Sequence, residues 1–277
     1  MKVIKKIPIL QLYILKQKKL NKKIHLIPTM GALHEGHVSL VKSAKSKKAI
    51  RIVSIFINPD QFAPNEDFDK YPSTIKNDLK LLKNEGVDIV FLPNKYEIKK
   101  YKIRNKIPNL PIEHTLCGKI RPHFFPGVKR IVTKLFDIME PDKSFFGEKD
   151  YQQYLVIKEL CKKMGRKTII VKCRTVRDQS GLALSSRNNY LNEKEKKIAQ
   201  KINKLVKQSL PFIRSNLKVG TETRKLRQDL HKNGIESIDY LKILTEQLKI
   251  RKNLINKSRL FIAVKIGNTR LIDNYKI

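Results

Sequence analysis

Short apolar runs alternate with amphipathic segments of helical length through the first 175 residues, and this alternation limits the possible folds strongly. The runs that predict strands occupy residues 24–28, 50–57, 88–92, 144–146 and 168–172. Helical patterns lie between them at 36–47, 73–84, 127–139 and 151–164. Strands that alternate with helices of this length indicate βαβ units and a parallel sheet. We therefore predict the α/β class for residues 1–175.

The pattern changes after residue 175. Polar-faced helices are predicted at 192–209 and 220–231, with strands at 238–244, 260–266 and 269–272 that need not be parallel. A smaller α+β domain is therefore predicted over residues 176–277. Residues 1–19 are basic and then apolar, but Gln11 interrupts the apolar part and no small-residue cleavage site follows. We interpret this segment as a first helix and not as a signal peptide.

The formal net charge of +35 allows two interpretations. A basic surface is the electrostatic footprint of a nucleic-acid-binding protein. Drift towards lysine, isoleucine and asparagine in an AT-rich genome gives the same charge without a function. We favour drift, because the lysines are scattered through every segment and no compact block stands out that is rich in arginine or interleaved with aromatic residues. No specific nucleic-acid partner is predicted.

Three cysteines, Cys117, Cys161 and Cys173, have no CxxC spacing, which argues against a disulfide framework and against a zinc site. A reducing, cytoplasmic compartment is therefore the expectation. The sequence has no run of about 18 apolar residues, so we predict neither a membrane-spanning helix nor a membrane partner.

The segment PTMGALHEGHVSL, at residues 28–40, carries the clearest functional pattern. His34 and His37 lie in a glycine-containing turn between a predicted strand and a predicted helix, and Gly31 and Ala32 permit close approach of the backbone. A helix N-terminus presents unsatisfied N–H groups and the positive end of the dipole to a phosphate. Two imidazoles add donors that can follow charge as it builds on a phosphoryl group. The plainer alternative is a helix start with two surface histidines.

Two further polar clusters follow predicted strands. Asn58 and Gln61 come after the strand at 50–57, and a neutral amide suits the recognition of hydroxyl and carboxylate groups. In the segment FFGEKDYQQ, Gly147 allows close approach, Lys149 suits a phosphate, and Asp150 can accept hydrogen bonds from ribose. Because ligands collect at the carboxyl ends of parallel strands, these clusters and the histidine turn would converge on one crevice.

A fourth cluster lies in the loop VRDQSGLALSSRNNYL, at residues 176–191. Ser185, Ser186 and Arg187 would form a donor-rich clamp for phosphate. Gln153 belongs to the preceding cluster and shares a helical face with Asp150. Each cluster also has a plainer interpretation as a helix cap or an ordinary turn.

Taken together, these segments resemble the pantoate–β-alanine ligase family of the HIGH-motif nucleotidyltransferase superfamily. The resemblance covers nearly the whole chain in order, through PTMGALHEGH, SIFINPDQF, EDFDKYP, FGEKDYQQ, SSRNNYL and IGNTRLIDN. It implies an enzyme that joins pantoate and β-alanine through a pantoyl-adenylate, using ATP and Mg²⁺. It also implies a Rossmann-like ATP-binding and pantoate-binding domain with a smaller C-terminal lid, usually in a homodimer.

The resemblance further implies roles for individual residues. The turn under the ATP phosphates would consist of Met30, Gly31, Ala32, Leu33, His34, Glu35, Gly36 and His37. His37 matches the family's presumed proton donor, and His34 and Lys149 would help to stabilise developing charge. Further ATP contacts would come from Gly147, Glu148, Lys149, Asp150, Val176, Leu184, Ser185, Ser186 and Arg187. Gln61 and Gln153 would bind pantoate, with Gln61 beside β-alanine, and no metal ligand is identified.

Two departures from the family pattern stand out. Leu184 replaces a common methionine, which conserves volume and should be mild. Where the family tends to read RPGHF, residues 121–125 read RPHFF, so His123 and Phe124 occupy the usual Gly and His positions. Nearby, Lys129 and Arg130 replace small residues.

Two other functional classes stay open at this level. A cytidylyl- or adenylyltransferase that releases a stable activated product shares the HxGH turn, but does not require Gln61 and Gln153 together with the FGEKD segment. A basic nucleic-acid-binding protein is supported only by the charge of +35.

Overall fold

The computed structural model describes residues 1–64, 66–215, 219–250 and 257–277. These residues form two compact units. The first comprises Met1–Glu148 and Gln152–Arg174, and the second comprises Lys149–Tyr151 and Thr175–Ile277.

The first unit contains a parallel sheet, which has six strands within the described ranges. In chain order they are β1 Lys2–Ile4, β2 Lys23–Thr29, β3 Ala49–Ile55, β4 Ile89–Phe91, β5 Lys143–Gly147 and β6 Ile169–Cys173. Their spatial order is β1-β4-β3-β2-β5-β6. The middle strands are apolar along most of their length and buried, as expected where helices cover both faces of a parallel sheet.

The helices that connect these strands are amphipathic or largely apolar. They are α1 Ile7–Lys19, α2 Glu35–Ser43, α3 Ile75–Asn84, α4 Lys95–Lys100, α5 Leu116–Ile120, α6 Phe124–Met139 and α7 Tyr151–Lys163. In α6, Val128, Val132 and Leu135 recur at helical spacing and are buried, so this helix contributes one side of the core.

The second unit pairs an antiparallel sheet with two helices. Its elements are α8 Glu193–Arg214, α9 Val219–Lys232, β7 Ser237–Thr245, β8 Ser258–Ile266 and β9 Thr269–Lys276. The strands lie in the order β7-β8-β9. Ala199, Ile202 and Val206 on α8 pack in one core with Leu260 and Ile262 of β8, so this unit has an interior of its own.

The predicted fold class is confirmed, with several local differences. The N-terminal segment begins with β1 before its helix, and α4 and α5 were not predicted. Helix α8 continues beyond residue 209 and through Pro211, because buried Leu210 and Ile213 extend its apolar stripe. Strand β9 continues beyond residue 272 to Lys276, where it stays paired with β8.

No helix in the described part of the chain is long and apolar enough to cross a membrane. The three cysteines, all within the described ranges, are buried and form no disulfide. Burial raises the pKa of the Cys161 thiol to about 11, although the Arg166 guanidinium opposes this. This thiol is therefore protonated at neutral pH and unsuited to act as a nucleophile.

Candidate active site

The order of the strands places a topological switch point between β2 and β5. From β2 the chain moves outward to β3 and β4 on one side, and then returns to β5 and β6 on the other. Because the strands are parallel, Thr29 at the end of β2 and Gly147 at the end of β5 lie at the same edge of the sheet. The crevice beside such a point is where open α/β sheets bind ligands.

The turn after β2 is shaped by one buried carboxylate. Asp78 of α3, which is 2% exposed, accepts hydrogen bonds from the Ala32 amide at 3.0 Å and the Leu33 amide at 2.9 Å. The turn needs Gly31, whose φ is +87°, because a Cβ there would lie 3.1 Å from Asp78 Oδ2. Ala32 also has a positive φ, of +49°. Asp78 therefore stabilises a turn whose backbone is strained. The sequence alone gave no sign that Asp78 contacts this turn.

Backbone amides fix the orientation of both turn histidines. His34 is the N-cap of α2, and its Nδ1 accepts from the Gly36 amide at 3.1 Å. The Nδ1 of His37 accepts from the His34 amide at 3.3 Å, and the two ring centroids are 4.2 Å apart. A neutral imidazole that accepts at Nδ1 carries its proton on Nε2. Each histidine therefore presents an Nε2–H donor while remaining neutral. Met30 precedes this turn half-buried, and Glu35 begins α2 exposed.

Gln61 is held at the end of a short 3₁₀ turn, Pro59–Gln61. Its Oε1 accepts from Asn58 Nδ2 at 3.0 Å, and the same Nδ2 lies 3.2 Å from the Gly127 carbonyl. A Cβ at Gly127 would lie 2.0 Å from the Asp60 carbonyl oxygen, so only glycine lets α6 approach this turn so closely. Since its oxygen is engaged, Gln61 offers its NH₂ donors to a carboxylate or hydroxyl group.

The two adjacent glutamines of α7 have different surroundings. Gln152 is buried, accepts from the Cys117 amide at 3.0 Å, and donates to the carbonyls of Ile112 and Thr115 at 3.0 and 2.7 Å. Gln153 is half-buried, and its side chain makes no hydrogen bond to other parts of the described structure. Gln152 therefore supports the loop before α6, whereas Gln153 is the amide that remains available to a ligand.

In the second unit, the predicted phosphate-binding lysine is supported by the last strand. Lys149 lies 3.2 Å from Asp150 in the 3₁₀ turn Glu148–Asp150, and its carbonyl accepts from Asn274 Nδ2 at 3.0 Å. Asn274 Oδ1 in turn accepts from Arg259 Nε at 2.9 Å. In the sequence, only the match to IGNTRLIDN included Asn274, and that match assigned no role to the residue.

The predicted clamp is the 3₁₀ turn Ser186–Tyr190, capped by Ser185, whose Oγ accepts from the Arg187 amide at 3.3 Å. Ser186 is buried, and the Leu184 amide donates to the Val176 carbonyl at 3.0 Å. Val176, Leu184, Ser185, Ser186 and Arg187 thus belong to one compact loop.

Arg177 anchors that loop to β9. Its guanidinium makes two hydrogen bonds to Asp273, at 2.6 and 3.0 Å, and a third to the Gly181 carbonyl at 3.0 Å. Burial lowers the pKa of Arg177, but the hydrogen bond and charge of Asp273 outweigh it and raise the pKa. Arg177 therefore stays charged and holds the loop in place.

Charged contacts with Glu66 hold the altered RPHFF loop, residues 121–125, in place. Arg121 makes a two-point contact with Glu66, which includes an Nε–Oε1 distance of 2.6 Å, and donates to the Gln61 carbonyl at 3.1 Å. His123 Nε2 lies 3.5 Å from Glu66. Burial alone would raise the pKa of Glu66, but the hydrogen bonds and charge of Arg121 lower it overall.

The two basic substitutions near this loop also have partners. Lys129 is 5% exposed, pairs with Glu113 at 2.6 Å and donates to the Pro108 carbonyl at 2.7 Å. Arg130 pairs with Asp60 at 2.6 Å on the surface. Both basic side chains at these departures from the family pattern are therefore paired with a carboxylate.

Within the described ranges, no group of three or more His, Cys, Asp or Glu side chains could hold a metal ion. Mg²⁺ commonly binds through substrate phosphates and water together with one or two carboxylates, and does not need a dedicated protein cage. A Mg²⁺ ion that arrives with a nucleotide would therefore not need such a group.

Comparison with known proteins identifies the family. The sequence model for the pantoate–β-alanine ligase family matches residues 2–276. The pantothenate synthetase of Acetivibrio thermocellus is 41% identical over 99% of this chain and 98% of its own length. That of Carboxydothermus hydrogenoformans is 42% identical over 96% of this chain and 95% of its own length.

Solved structures agree with this assignment. The pantothenate synthetase of Thermus thermophilus has a TM-score of 0.90 at 31% identity, with 100% of this chain and 99% of that chain covered. The pantoate–β-alanine ligase of Francisella tularensis, solved in complex with beta-gamma ATP and β-alanine, has a TM-score of 0.84 at 37% identity and covers 100% and 97%. The chain therefore belongs to the pantoate–β-alanine ligase family.

Proposed function

We propose that this protein condenses (R)-pantoate with β-alanine in an ATP-dependent reaction, through a pantoyl-adenylate, and releases AMP and pyrophosphate. The observation that carries the proposal is the pair of imidazoles, His34 and His37, which accept backbone hydrogen bonds at Nδ1, at the N-terminus of α2 and beside the switch point of the sheet. Family membership supports the identity of the substrates.

In the first step, a pantoate carboxylate oxygen attacks the α-phosphorus of ATP, and the bond to the pyrophosphate oxygen breaks. The carboxylate is already ionised at pH 7, so this step needs no general base. It needs alignment and stabilisation of negative charge on the phosphoryl oxygens. The Nε2–H groups of His34 and His37, the ammonium of Lys149 and the hydroxyls of Ser185 and Ser186 are our candidates for that task.

In the second step, the neutral amine of β-alanine attacks the acyl carbon of the adenylate. The C–N bond forms, the bond from carbon to the AMP oxygen breaks, and the proton that the amine loses leaves with the AMP phosphate or passes to solvent. The Gln61 amide, with its oxygen held by Asn58, would orient the substrates through its NH₂ group. Exclusion of water protects the mixed anhydride from hydrolysis.

The finer assignments are part of this proposal. Residues 1–175 would bind ATP and pantoate, and residues 176–277 would serve as the lid. ATP would contact the turn from Met30 to His37, together with Gly147, Glu148, Lys149, Asp150, Val176, Leu184, Ser185, Ser186 and Arg187. Gln61 and Gln153 would bind pantoate and β-alanine. Mg²⁺ would neutralise charge on the ATP phosphates. We further propose that the protein is a cytoplasmic homodimer.

Two assays test the reaction. ATP-to-AMP conversion is measured with Mg²⁺ and pantoate, with and without β-alanine, while pantothenate is quantified by mass spectrometry. We expect AMP and pantothenate to appear in step only when both substrates are present. Exchange of labelled pyrophosphate into ATP should require pantoate alone. A stable adenylate that β-alanine does not consume would instead favour the nucleotidyltransferase alternative.

A further inference from the structure

A second cavity lies in the first unit, at the amino ends of the strands, and has a volume of about 880 Å³. Lys23, Ala49, Lys143 and Ile169, the first residues of β2, β3, β5 and β6, all line it. The histidine turn follows the opposite end of β2, which has seven residues. At a rise of about 3.3 Å per residue, the cavity and the turn are separated by roughly 20 Å along the strand. It is therefore a different site from the candidate active site.

Cationic side chains dominate the lining. They are Lys18, Lys23, Lys45, Lys143, Arg166 and Lys167. The lining carboxylates, Glu140 and Asp142, are already engaged, because Lys18 pairs with Glu140 at 2.9 Å and Lys23 with Asp142 at 3.0 Å. Arg166 is likewise paired, with Asp137 at 2.6 Å, so the positive charge that remains comes from the other three lysines.

Three of the lysines supply that excess. Lys45, Lys143 and Lys167 are exposed, and their ammonium groups make no ion pair or hydrogen bond with any residue that the structure describes. Three such charges around one concave surface attract an anion more strongly than lysines spread over a convex surface.

His25 adds a directional group to the cavity wall. His25 is 7% exposed as a residue, and its Nδ1 lies 2.7 Å from the Ala44 carbonyl, which can only accept a hydrogen bond. The neutral ring therefore carries its proton on Nδ1 and leaves Nε2 as an acceptor. A phosphate monoester, whose second pKa is about 6, is mostly a dianion at neutral pH, so only its protonated fraction could donate to that nitrogen while the dianion faces the lysines.

The remaining wall is partly apolar. Ile169, which is 58% exposed, and half-buried Val171 contribute carbon surface. Ser43 and Thr168 contribute hydroxyl oxygens, whose hydrogens are donated to the carbonyls of Ser39 and Pro141. A volume of about 880 Å³ lies within the range of cavities that bind small molecules. We propose that this cavity binds a phosphate monoester with an apolar or aromatic body of nucleoside size, which is not a reactant of the ligase reaction.

Histidine-selective NMR of the full chain tests the proposal with adenosine 3′,5′-bisphosphate as the probe and inorganic pyrophosphate as the comparison. The chain has six histidines, so each ¹³Cε1–H resonance can be assigned by substitution. We expect the bisphosphate to shift the His25 resonance at lower concentration than pyrophosphate does, because only the bisphosphate has a body for the apolar wall.

The matched variants are two triple substitutions of equal charge. In the K45Q/K143Q/K167Q variant, the concentration of bisphosphate that gives half of the maximal His25 shift should rise about tenfold or more. In K76Q/K80Q/K83Q, which changes three exposed lysines of α3, it should stay within about twofold. Shifts confined to His34 and His37, equal weakening in both variants, or no shift at all would each overturn the proposal. Because catalysis is not measured, the outcome is independent of the ligase function.

Discussion

At the scale of single residues, the chemistry of the candidate site depends on which ring nitrogen of each turn histidine carries the proton. Both turn histidines accept backbone hydrogen bonds at Nδ1, and both therefore donate from Nε2 without a positive charge. The sequence indicated two imidazoles near a phosphate. The tautomers required the distances between ring nitrogens and amides, which residue spacing alone does not give.

His37→Ala removes one of these donors. We expect adenylate formation to slow by roughly 10²-fold or more, on the scale of losing one transition-state donor. Pantoate-dependent exchange between pyrophosphate and ATP measures this step. His114→Ala, which changes an exposed histidine of the same unit, should exchange at the normal rate. Near-normal exchange by the His37 variant would contradict the assignment.

Asp78→Asn tests the carboxylate that shapes the turn. An amide has only one oxygen for the three donors that Asp78 now accepts, which are two backbone amides and the Thr74 hydroxyl. We expect a loss of about 1–3 kcal/mol in the free energy of unfolding, together with slower pyrophosphate exchange. Urea unfolding measures the first effect. Asp69→Asn, at an exposed position, serves as the control, and equal stability of the two variants would count against this role.

Sequence reasoning overlooked Asp78 for a physical reason. The residue lies on an amphipathic helix, where an acidic side chain ordinarily faces water, and its partner Ala32 is 46 positions away. Only the packing of α3 against the turn reveals that the side chain is buried. Gly31, in contrast, was identified from sequence, because small residues beside a strand end indicate close approach of the backbone.

At the scale of elements, the loop between α5 and α6 depends on the Glu66–Arg121 pair. The folded state lowers the pKa of Glu66 below its ordinary value of 4.5. The pair therefore adds stability above that ordinary pKa, and the contribution is lost as the pH falls through the lowered value.

Glu66→Gln should consequently be less stable than the parent at pH 7, by about 1–3 kcal/mol, the scale of charged hydrogen bonds. The difference should shrink as the pH falls from 4.5 through the lowered pKa, because Glu66 is protonated first in the unfolded chain and then in the folded protein. Urea unfolding from pH 3 to 7 measures it. Glu159→Gln, in a surface pair of 4.0 Å, should change stability by less than about 0.5 kcal/mol throughout. If the stability difference between the parent and Glu66→Gln did not change with pH, the stabilising role of the Glu66–Arg121 pair would be contradicted.

Strand β9 supports the lysine that we place on phosphate. Asn274→Ala removes the hydrogen bond to the Lys149 carbonyl, which lets this segment move. We expect kcat/KM for ATP to fall about tenfold, equivalent to about 1.4 kcal/mol. Steady-state kinetics provide the measurement. Gln208→Ala, on the exposed face of α8, should leave kcat/KM unchanged. If kcat/KM of the Asn274 variant were also unchanged, β9 would not contribute to catalysis through Lys149.

The elements also show what periodicity can predict. Long apolar strands such as β2 and β3 were placed correctly because burial on both faces leaves a continuous apolar run. Strand β1 has only three residues and forms through pairing with β4, a contact that local sequence does not encode. The sequence likewise predicted Gln153 as a site residue. The structural role of its neighbour Gln152 could be recognised only from its hydrogen bonds to one backbone amide and two carbonyls.

At the scale of the whole molecule, the charge of +35 is the remaining feature to explain. Drift in composition predicts weak binding to any duplex DNA through counterion release. We expect affinity for random duplex, measured by fluorescence anisotropy, to fall about 10³-fold or more between 50 and 200 mM salt. A preference for one sequence or structure that survives at high salt would support the nucleic-acid alternative.

The support of Lys149 by Asn274 has a consequence for synthesis of the chain. The two residues are separated by 125 positions, so Lys149 leaves the ribosome long before its partner exists. A nascent chain could fold the parallel sheet and its histidine turn early, since those contacts lie within the first unit. The lysine would remain unsupported until β9 pairs with β8. Catalytic competence should therefore arise late in translation, after most of the fold is complete.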